Sequence, residues 1–213
     1  MSLQVSIDLR PTFGAIRDQG SRPTCVAFAV SDVHAVARGR YDPLSAEHIF
    51  YHAVQRTPGT DPEEGVSLPT ILEALEQDGQ SREAGWPYLL GLPSDLSNWK
   101  PPSTATPVFK RASLMGASTT KTITDHLDAG RPVAVTLLIS EAFCEAEHGI
   151  IRFRAKDTDV DWHGVIAVGY ADEGKKRLIL IRNSWGASWG LNGYAWVETD
   201  YLDPRAGFLA TMS

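Results

Sequence analysis

The sequence is poor in the features that mark several classes of protein. Its 213 residues include only two cysteines, Cys25 and Cys144, so at most one disulfide bond can form. No apolar run approaches the roughly 18 residues of a membrane span, and no basic segment followed by an apolar core opens the chain. We therefore expect no secretory signal, no membrane partner and a reducing compartment, the cytoplasm.

Positive charge is scarce as well. The chain has 20 lysines and arginines against 26 acidic residues, which gives a net charge of −6. The densest basic run, residues 175–177, is predicted to be a turn between strands. Proteins that bind nucleic acid usually carry clusters of basic residues, so no nucleic-acid partner is expected. With 43% hydrophobic and 22% charged residues, the composition is that of a globular protein.

The first half of the chain has the periodicity of helices. Apolar residues recur at helical spacing over residues 25–37, 45–54 and 67–77, with a short helix over 123–129. The intervening stretch, residues 86–107, contains five prolines, so it is predicted to be irregular and to separate two lobes.

The second half has the pattern of strands. Short runs of branched and aromatic residues, bounded by turn residues, predict strands over 132–139, 149–154, 163–170, 177–182 and 193–197. Helices followed by strands indicate an α+β fold. We predict one domain, residues 1–213, with a helical lobe at 11–107 and a β lobe at 108–213.

Cys25 occupies a position that favours reactivity. It opens a predicted helix directly after Pro23 and Thr24, and we expect Thr24 to cap that helix. The N-terminus of a helix offers free N–H groups and partial positive charge, which favour a thiolate. A lone cysteine is more often a small buried apolar residue, so the position alone does not decide.

Three further motifs accompany Cys25 in a fixed order. Gln19-Gly20 precedes it by six residues, Trp162-His163-Gly164 lies far downstream, and Asn183-Ser184-Trp185-Gly186 follows. In combination, these motifs resemble those of the papain-like cysteine peptidases. Leu44-Ser45-Ala46-Glu47 and Trp86-Pro87-Tyr88 are similar to landmarks of the family's bacterial branch.

The resemblance implies a fold and a set of catalytic roles. The fold would be a helical lobe packed on an antiparallel, β-barrel-like lobe, with the active-site cleft between them. Cys25 would be the nucleophilic thiolate and His163 its imidazolium partner. Asn183 would orient His163, Gln19 would help to hold the oxyanion, and Trp185 would shield the His163–Asn183 bond from water.

The resemblance also implies a set of substrate-binding residues: Gly65, Val66, Leu68, Thr136, Gly164 and Trp185. Gly65 and Val66 would lie on the cleft edge, where a substrate strand adds by main-chain hydrogen bonds. Leu68, Thr136 and Gly164 would form the second specificity pocket, which would prefer an apolar side chain two residues before the cleaved bond. Gly164 replaces the family's usual alanine, so this pocket is expected to be roomier.

The sequence departs from the family's pattern in places. Arg22 stands where the animal and plant enzymes have a structural half-cystine, and Val26 stands where they have tryptophan. No recognisable propeptide precedes Asp8, so we expect any inhibitor or propeptide partner to come from outside this chain. We expect a monomer.

Two groups of residues imitate metal sites. His48 and His52 have a zinc-site spacing, but position 49 lacks the glutamate of a metalloprotease, so a helix-surface pair is predicted. Asp157, Asp159 and Asp161 imitate the start of a calcium loop without its glycine, and a solvated loop is predicted. We expect no metal and no cofactor, and we expect Cys144 to be a buried or half-buried spectator.

The sequence thus predicts a cysteine endopeptidase that hydrolyses proteins or peptides through a thiolate–imidazolium pair and an acyl-enzyme. An acyl-transfer relative, such as a peptide ligase or a deamidase, would share the same intermediate. A non-catalytic binding domain on the same scaffold is a further alternative, as is a domain cut from a larger polypeptide. The natural substrate and the means of latency stay open.

Overall fold

The computed structural model describes residues 3–213. In this range six α-helices form: α1 Cys25–Ala37, α2 Ala46–Arg56, α3 Leu68–Gln77, α4 Thr120–Asp128, α5 Glu141–Glu145 and α6 Thr199–Leu202. The same range has eight strands: β1 Gln4–Asp8, β2 Ser113–Ala117, β3 Val133–Ser140, β4 Ile150–Ile151, β5 Asp159–Glu173, β6 Lys176–Arg182, β7 Tyr194–Glu198 and β8 Ala206–Met212. None of the helices described is both long enough and apolar enough to cross a membrane.

The helices of the first half confirm the periodicity of the sequence. The Ser45 hydroxyl accepts a hydrogen bond from the main-chain N–H of His48, which fixes the start of α2. The Ser67 hydroxyl accepts a hydrogen bond from the main-chain N–H of Thr70, which fixes the start of α3. Helix α1 is buried from residue 27 to residue 35, because it lies in the middle of the lobe and packs on the sheet.

The strands form one sheet in the order β2-β8-β3-β5-β6-β7-β4, with β1 added to β5. All pairs are antiparallel except β4 with β7. Because the end strands β2 and β4 do not pair with each other, the sheet is open. The expected barrel-like closure of this lobe is therefore corrected to an open sheet.

Strands β1, β2 and β8 were not predicted, and the predicted strand over 149–154 shortens to β4. Strand β1 crosses from the start of the chain to pair with β5, with Asp8 opposite Gly169. The first residues described thus lie on the sheet of the second half. The division into lobes between residues 107 and 108 stays a prediction.

Both faces of the sheet are covered, and β5 lies at its centre. Ile166 and Val168 of β5 pack into the cluster formed with α1, α2 and α3. Val165 and Ala167 pack into a second cluster on the opposite face, with α4, α5 and α6. Residues 163–169 are therefore buried continuously, as in strands covered on both sides. His163 stands at the end of this buried run, where β5 meets the helices.

Candidate active site

Cys25 is the first residue of α1 and is half-buried. Thr24 occupies the N-cap position, but its hydroxyl does not cap the helix; it lies 2.8 Å from the Tyr88 hydroxyl. The first-turn N–H groups of α1 therefore lack a side-chain cap. Burial raises the pKa of the Cys25 thiol, and main-chain N–H groups of Gly164, Val26 and Cys25 itself act in the opposite direction.

His163 is buried, and its Nε2 lies 2.7 Å from Asn183 Oδ1. The same Oδ1 accepts a hydrogen bond of 2.8 Å from the main-chain N–H of Ser184, which only an oxygen can do. This contact fixes the orientation of the Asn183 amide. His163 Nε2 must then be the donor, so Nδ1 is the nitrogen left to exchange a proton.

Burial has a strong effect on the charge of His163. It lowers the pKa of the imidazole to about 4, while the Asn183 hydrogen bond and the charge of Asp161 raise it. Considered singly, burial favours the neutral form of both Cys25 and His163. An ionised pair at this site therefore requires that each charge stabilise the other.

Gly164 brings the two groups to the same cleft. A Cβ atom at Gly164 would lie 2.9 Å from Val26 N and Cα and 3.1 Å from the Cys25 carbonyl carbon. Strand β5 therefore packs backbone to backbone against the start of α1, and His163 and Cys25 line the same cleft. The space that a larger residue would fill is occupied by α1, so the expectation of a roomier specificity pocket at Gly164 is corrected.

Aromatic rings enclose the imidazole. The ring centroid of Trp185 lies 4.6 Å from that of His163, and Phe143 approaches edge-on at 5.7 Å. Trp189 packs on Phe143 at 5.2 Å. Trp185 therefore lies where a shield for the His163–Asn183 bond would stand. Phe143 is not predicted from the sequence, because the five-residue helix α5 is too short to show a periodicity.

Gln19 is tied to the segment that carries Asn183. Its Oε1 accepts a hydrogen bond of 2.7 Å from the Ser184 hydroxyl, and its main-chain N–H donates to Ser184 O at 2.8 Å. Its Nε2 donates one hydrogen to the Arg22 carbonyl at 2.8 Å. The amide of a glutamine has two N–H donors, so a second one is left for a ligand. Ser184 is a positioning residue that the sequence analysis did not identify.

A cleft of about 550 Å³ opens over Cys25 and His163. Its walls are the start of α1, residues 64–69, residues 161–163 of β5, Thr136 of β3 and residues 207–208 of β8. Four of the expected substrate-binding residues line it: Gly65, Val66, Leu68 and Thr136. The other two, Gly164 and Trp185, lie behind Cys25 and His163 rather than on the walls.

Trp162 and Phe208 are wall residues that the sequence analysis missed, and they are 57% and 52% exposed. Gly207 makes room for Trp162, because a Cβ atom there would lie 2.9 Å from the indole ring. Large apolar side chains with this exposure, on a cleft beside a cysteine and a histidine, offer a surface for a ligand.

The residues that imitate metal sites have other roles. His48 is buried, not on the helix surface as predicted, and its Nδ1 accepts from the Ser81 main-chain N–H at 3.2 Å. Asp159 and Asp161 lie in β5 rather than in a loop, while the Asp157 carboxylate accepts from Ala142 N. Among residues 3–213, no group of three or more potential ligands could hold a metal ion.

Cys144 also differs from its prediction, because it is exposed on α5 rather than buried or half-buried.

Comparison with known proteins gives a family and a fold. The family model described as papain family cysteine protease matches residues 3–203. A senescence-specific cysteine protease, SAG39, of Oryza sativa subsp. indica is 28% identical over 222 residues, which cover 96% of this chain and 60% of the relative. The peptidase C1-like protein L477 of Acanthamoeba polyphaga mimivirus is 27% identical, and the match covers 83% of this chain and 62% of that protein. The chain thus spans about 60% of the length of these curated relatives.

The fold is shared with solved structures. The crystal structure of xylellain, a cysteine protease from Xylella fastidiosa, superposes with a TM-score of 0.78 at 21% identity, and the match covers all of this chain and 87% of that one. The helical lobe packed on a sheet, with a cleft at their boundary, is therefore the papain-like two-lobe arrangement.

Proposed function

The chain belongs to the papain family of cysteine proteases, and from this premise we propose that it is a cysteine endopeptidase acting on proteins or peptides. One observation carries the proposal: Cys25, at the start of α1, and His163, hydrogen-bonded to Asn183, line the same cleft. A nucleophile, a base and a residue that orients the base form the usual arrangement for acyl transfer.

The geometry supports the following reaction. Cys25 Sγ attacks the carbonyl carbon of a peptide bond, and the Cys25 N–H and the second Nε2–H of Gln19 stabilise the oxyanion. The C–N bond breaks as His163 Nδ1 gives its proton to the leaving amine. Water, deprotonated by the same nitrogen, then attacks the thioester and releases the acid, and the sulfur regains its starting state.

We propose that Cys25 and His163 are ionised together in the free enzyme. An opposite charge at close range shifts a pKa by about 1–3 units. Such a partner raises the pKa of the imidazole from about 4 and lowers the pKa of the thiol. The N-terminus of α1 contributes further to the thiolate.

The test is hydrolysis of an unstructured protein by the Cys25→Ala variant. Turnover should be abolished, because the nucleophile is lost. The matched control is Cys144→Ala, which removes the exposed cysteine on α5 and should retain full turnover. Unchanged hydrolysis by Cys25→Ala would end the proposal. Product analysis with and without an added amine separates hydrolysis from ligation, and thiol labelling by an epoxide inhibitor separates an enzyme from a binding domain.

A further inference from the structure

A recess of about 480 Å³ lies at the opposite end of α1 from Cys25. Helix α1 has 13 residues at about 1.5 Å each, so the recess is about 20 Å from Cys25. Within residues 3–213 this recess and the cleft over Cys25 share no wall residue. We call it the arginine recess, because three of its five wall residues are arginines: Arg38, Arg40, Tyr41, Asp42 and Arg82.

The arginine recess is positively charged. In residues 3–213, the one ion pair on its walls joins Arg82 Nε to Asp42 Oδ2 at 2.8 Å, so Arg38 and Arg40 have no carboxylate partner. Three guanidinium groups against one carboxylate leave a balance of two positive charges, in a chain whose net charge is −6. The C-terminus of α1 contributes a partial negative charge of about one half, which does not reverse the sign.

Carboxylates of the adjoining segments do not neutralise this charge. Asp32 and Glu83 both pair with Arg17, at 3.3 and 2.6 Å. The uncompensated charge also affects His34, which lies one turn before Arg38. Burial lowers the pKa of His34 to about 4, and the charge of Arg38 acts in the same direction.

The arginines are held in place before any ligand binds. The Arg38 guanidinium stacks on the Phe109 ring, with Cζ 3.5 Å from the ring centroid, and Arg82 Cζ lies 6.0 Å from the same centroid. Phe109 exchanges two main-chain hydrogen bonds with Gln80, of 2.8 and 3.1 Å, and the residue after Arg82 donates to the Pro43 carbonyl at 2.8 Å. Stacking occupies the face of a guanidinium and leaves the N–H groups on its edge free. Groups fixed in this way lose little freedom when a ligand binds.

Several guanidinium groups around one recess are suited to an oxyanion. Arginine presents its N–H donors in a planar fork that matches the oxygens of a carboxylate or a phosphate. A carboxylate brings one negative charge and would leave the recess positive. A phosphate group brings up to about two negative charges and three acceptor oxygens, so it can bind more than one guanidinium at once. The charge balance therefore favours phosphate.

We propose that the arginine recess binds a phosphate-type anion with two or more negative charges. Arg38, Arg40 and Arg82 donate to its oxygens, and Asp42 holds Arg82 in place through Nε. Arg38 and Arg40 are adjacent in the sequence around Gly39, whereas Arg82 is brought to them by the fold, so no basic run in the sequence marks the site.

The test is isothermal titration calorimetry of the whole chain with inorganic phosphate and with pyrophosphate, at neutral pH and low salt. Pyrophosphate should bind more tightly than phosphate, because it carries more charge, and added sodium chloride should weaken both. Phenyl phosphate is the third probe. If it binds at least as tightly as inorganic phosphate, the recess accepts phosphate esters, and if it binds more weakly, the recess takes the free ion. Either order supports the site.

Variants locate the binding and test its sign. Arg38→Gln, Arg40→Gln and Arg82→Gln should each raise the Kd for pyrophosphate by about two- to fivefold, and the triple variant should lose binding. Asp42→Asn should lower the Kd by about two- to fivefold, because it removes the one negative charge on the walls and keeps an oxygen for Arg82 Nε. The matched control is Arg131→Gln, which removes an exposed arginine outside the recess and should leave the Kd unchanged.

Three outcomes overturn the inference. The first is an absence of saturable binding of pyrophosphate at about 10 mM. The second is a triple variant that is folded by thermal unfolding and binds as the parent does. The third is an equal loss in Arg131→Gln and in the three single variants, which would show a response to net charge alone. If the triple variant does not fold, the single variants and Asp42→Asn decide. Because the titration needs no turnover, an inactive protein that binds pyrophosphate would end the peptidase proposal and leave the arginine recess as a site.

Discussion

Replacement of His163 by alanine tests whether the Cys25 thiolate depends on the imidazole. Burial raises the pKa of the Cys25 thiol, so without a cationic partner the thiolate is lost as the pH falls through a value above the ordinary range for cysteine. With the partner, the thiolate persists at lower pH for as long as the imidazole keeps its proton. An opposite charge at close range is equivalent to about 1–3 pKa units, or about 10- to 1000-fold in the thiolate fraction at pH 6.

The assay is the rate of alkylation by iodoacetamide between pH 4 and pH 10, measured in a Cys144→Ala background so that only Cys25 reacts. The parent should label readily at pH 6, and His163→Ala should label about 10- to 1000-fold more slowly there, with the two rates converging at high pH. Thermal unfolding under the same conditions verifies that the variant is folded. Rates at pH 6 that agree within twofold would refute the ion pair, and the neutral forms favoured by burial would then describe the resting site.

Two further predictions concern packing and the oxyanion. Gly164→Ala should lower the free energy of unfolding in urea by about 1–3 kcal/mol, because the new methyl group meets the backbone of α1. The matched control is Gly91→Ala, at an open position, which should change the free energy of unfolding by less than about 0.5 kcal/mol. Equal effects would contradict the close approach of β5 to α1. Gln19→Ala should lower kcat by about 10²–10³-fold, because an oxyanion donor is lost. Ser184→Ala loses only the hydrogen bond that holds Gln19, so it should lower kcat by less than about tenfold. A Gln19→Ala variant with full kcat would remove Gln19 from the mechanism.

Local signals in the sequence were enough for the elements that carry the candidate site. Helix α1 has a continuous apolar pattern that begins at Cys25, so the predicted helix over 25–37 has the bounds of α1. The buried run of β5 is apolar on both faces and is covered by the predicted strand over 163–170, but β5 itself extends from Asp159 to Glu173. The order of the motifs around Gln19, Cys25, His163 and Asn183 supplied the resemblance that the family comparison supports.

The remaining elements depend on partners distant in sequence. Strands β2 and β8 contain small residues and exposed apolar ones, with no clear alternation, and pair with each other across almost a hundred residues of chain. Strand β1 is defined by its pairing with β5. Trp162 and Phe208 were missed because exposure of an aromatic side chain is decided by the surrounding strands.

Arg22 shows how this chain holds its active-site loop without the half-cystine found at that position in the animal and plant enzymes. Its guanidinium donates to both carboxylate oxygens of Glu47, at 2.6 and 3.1 Å, and to the Leu89 carbonyl. Glu47 is fully buried and also accepts from Trp99 Nε1 at 2.6 Å. A buried pair with these additional hydrogen bonds fixes a geometry, although removal of either partner would leave an uncompensated charge. Because the Arg22 carbonyl accepts from Gln19, this ion pair positions the proposed oxyanion donor through contacts that a reducing environment does not break.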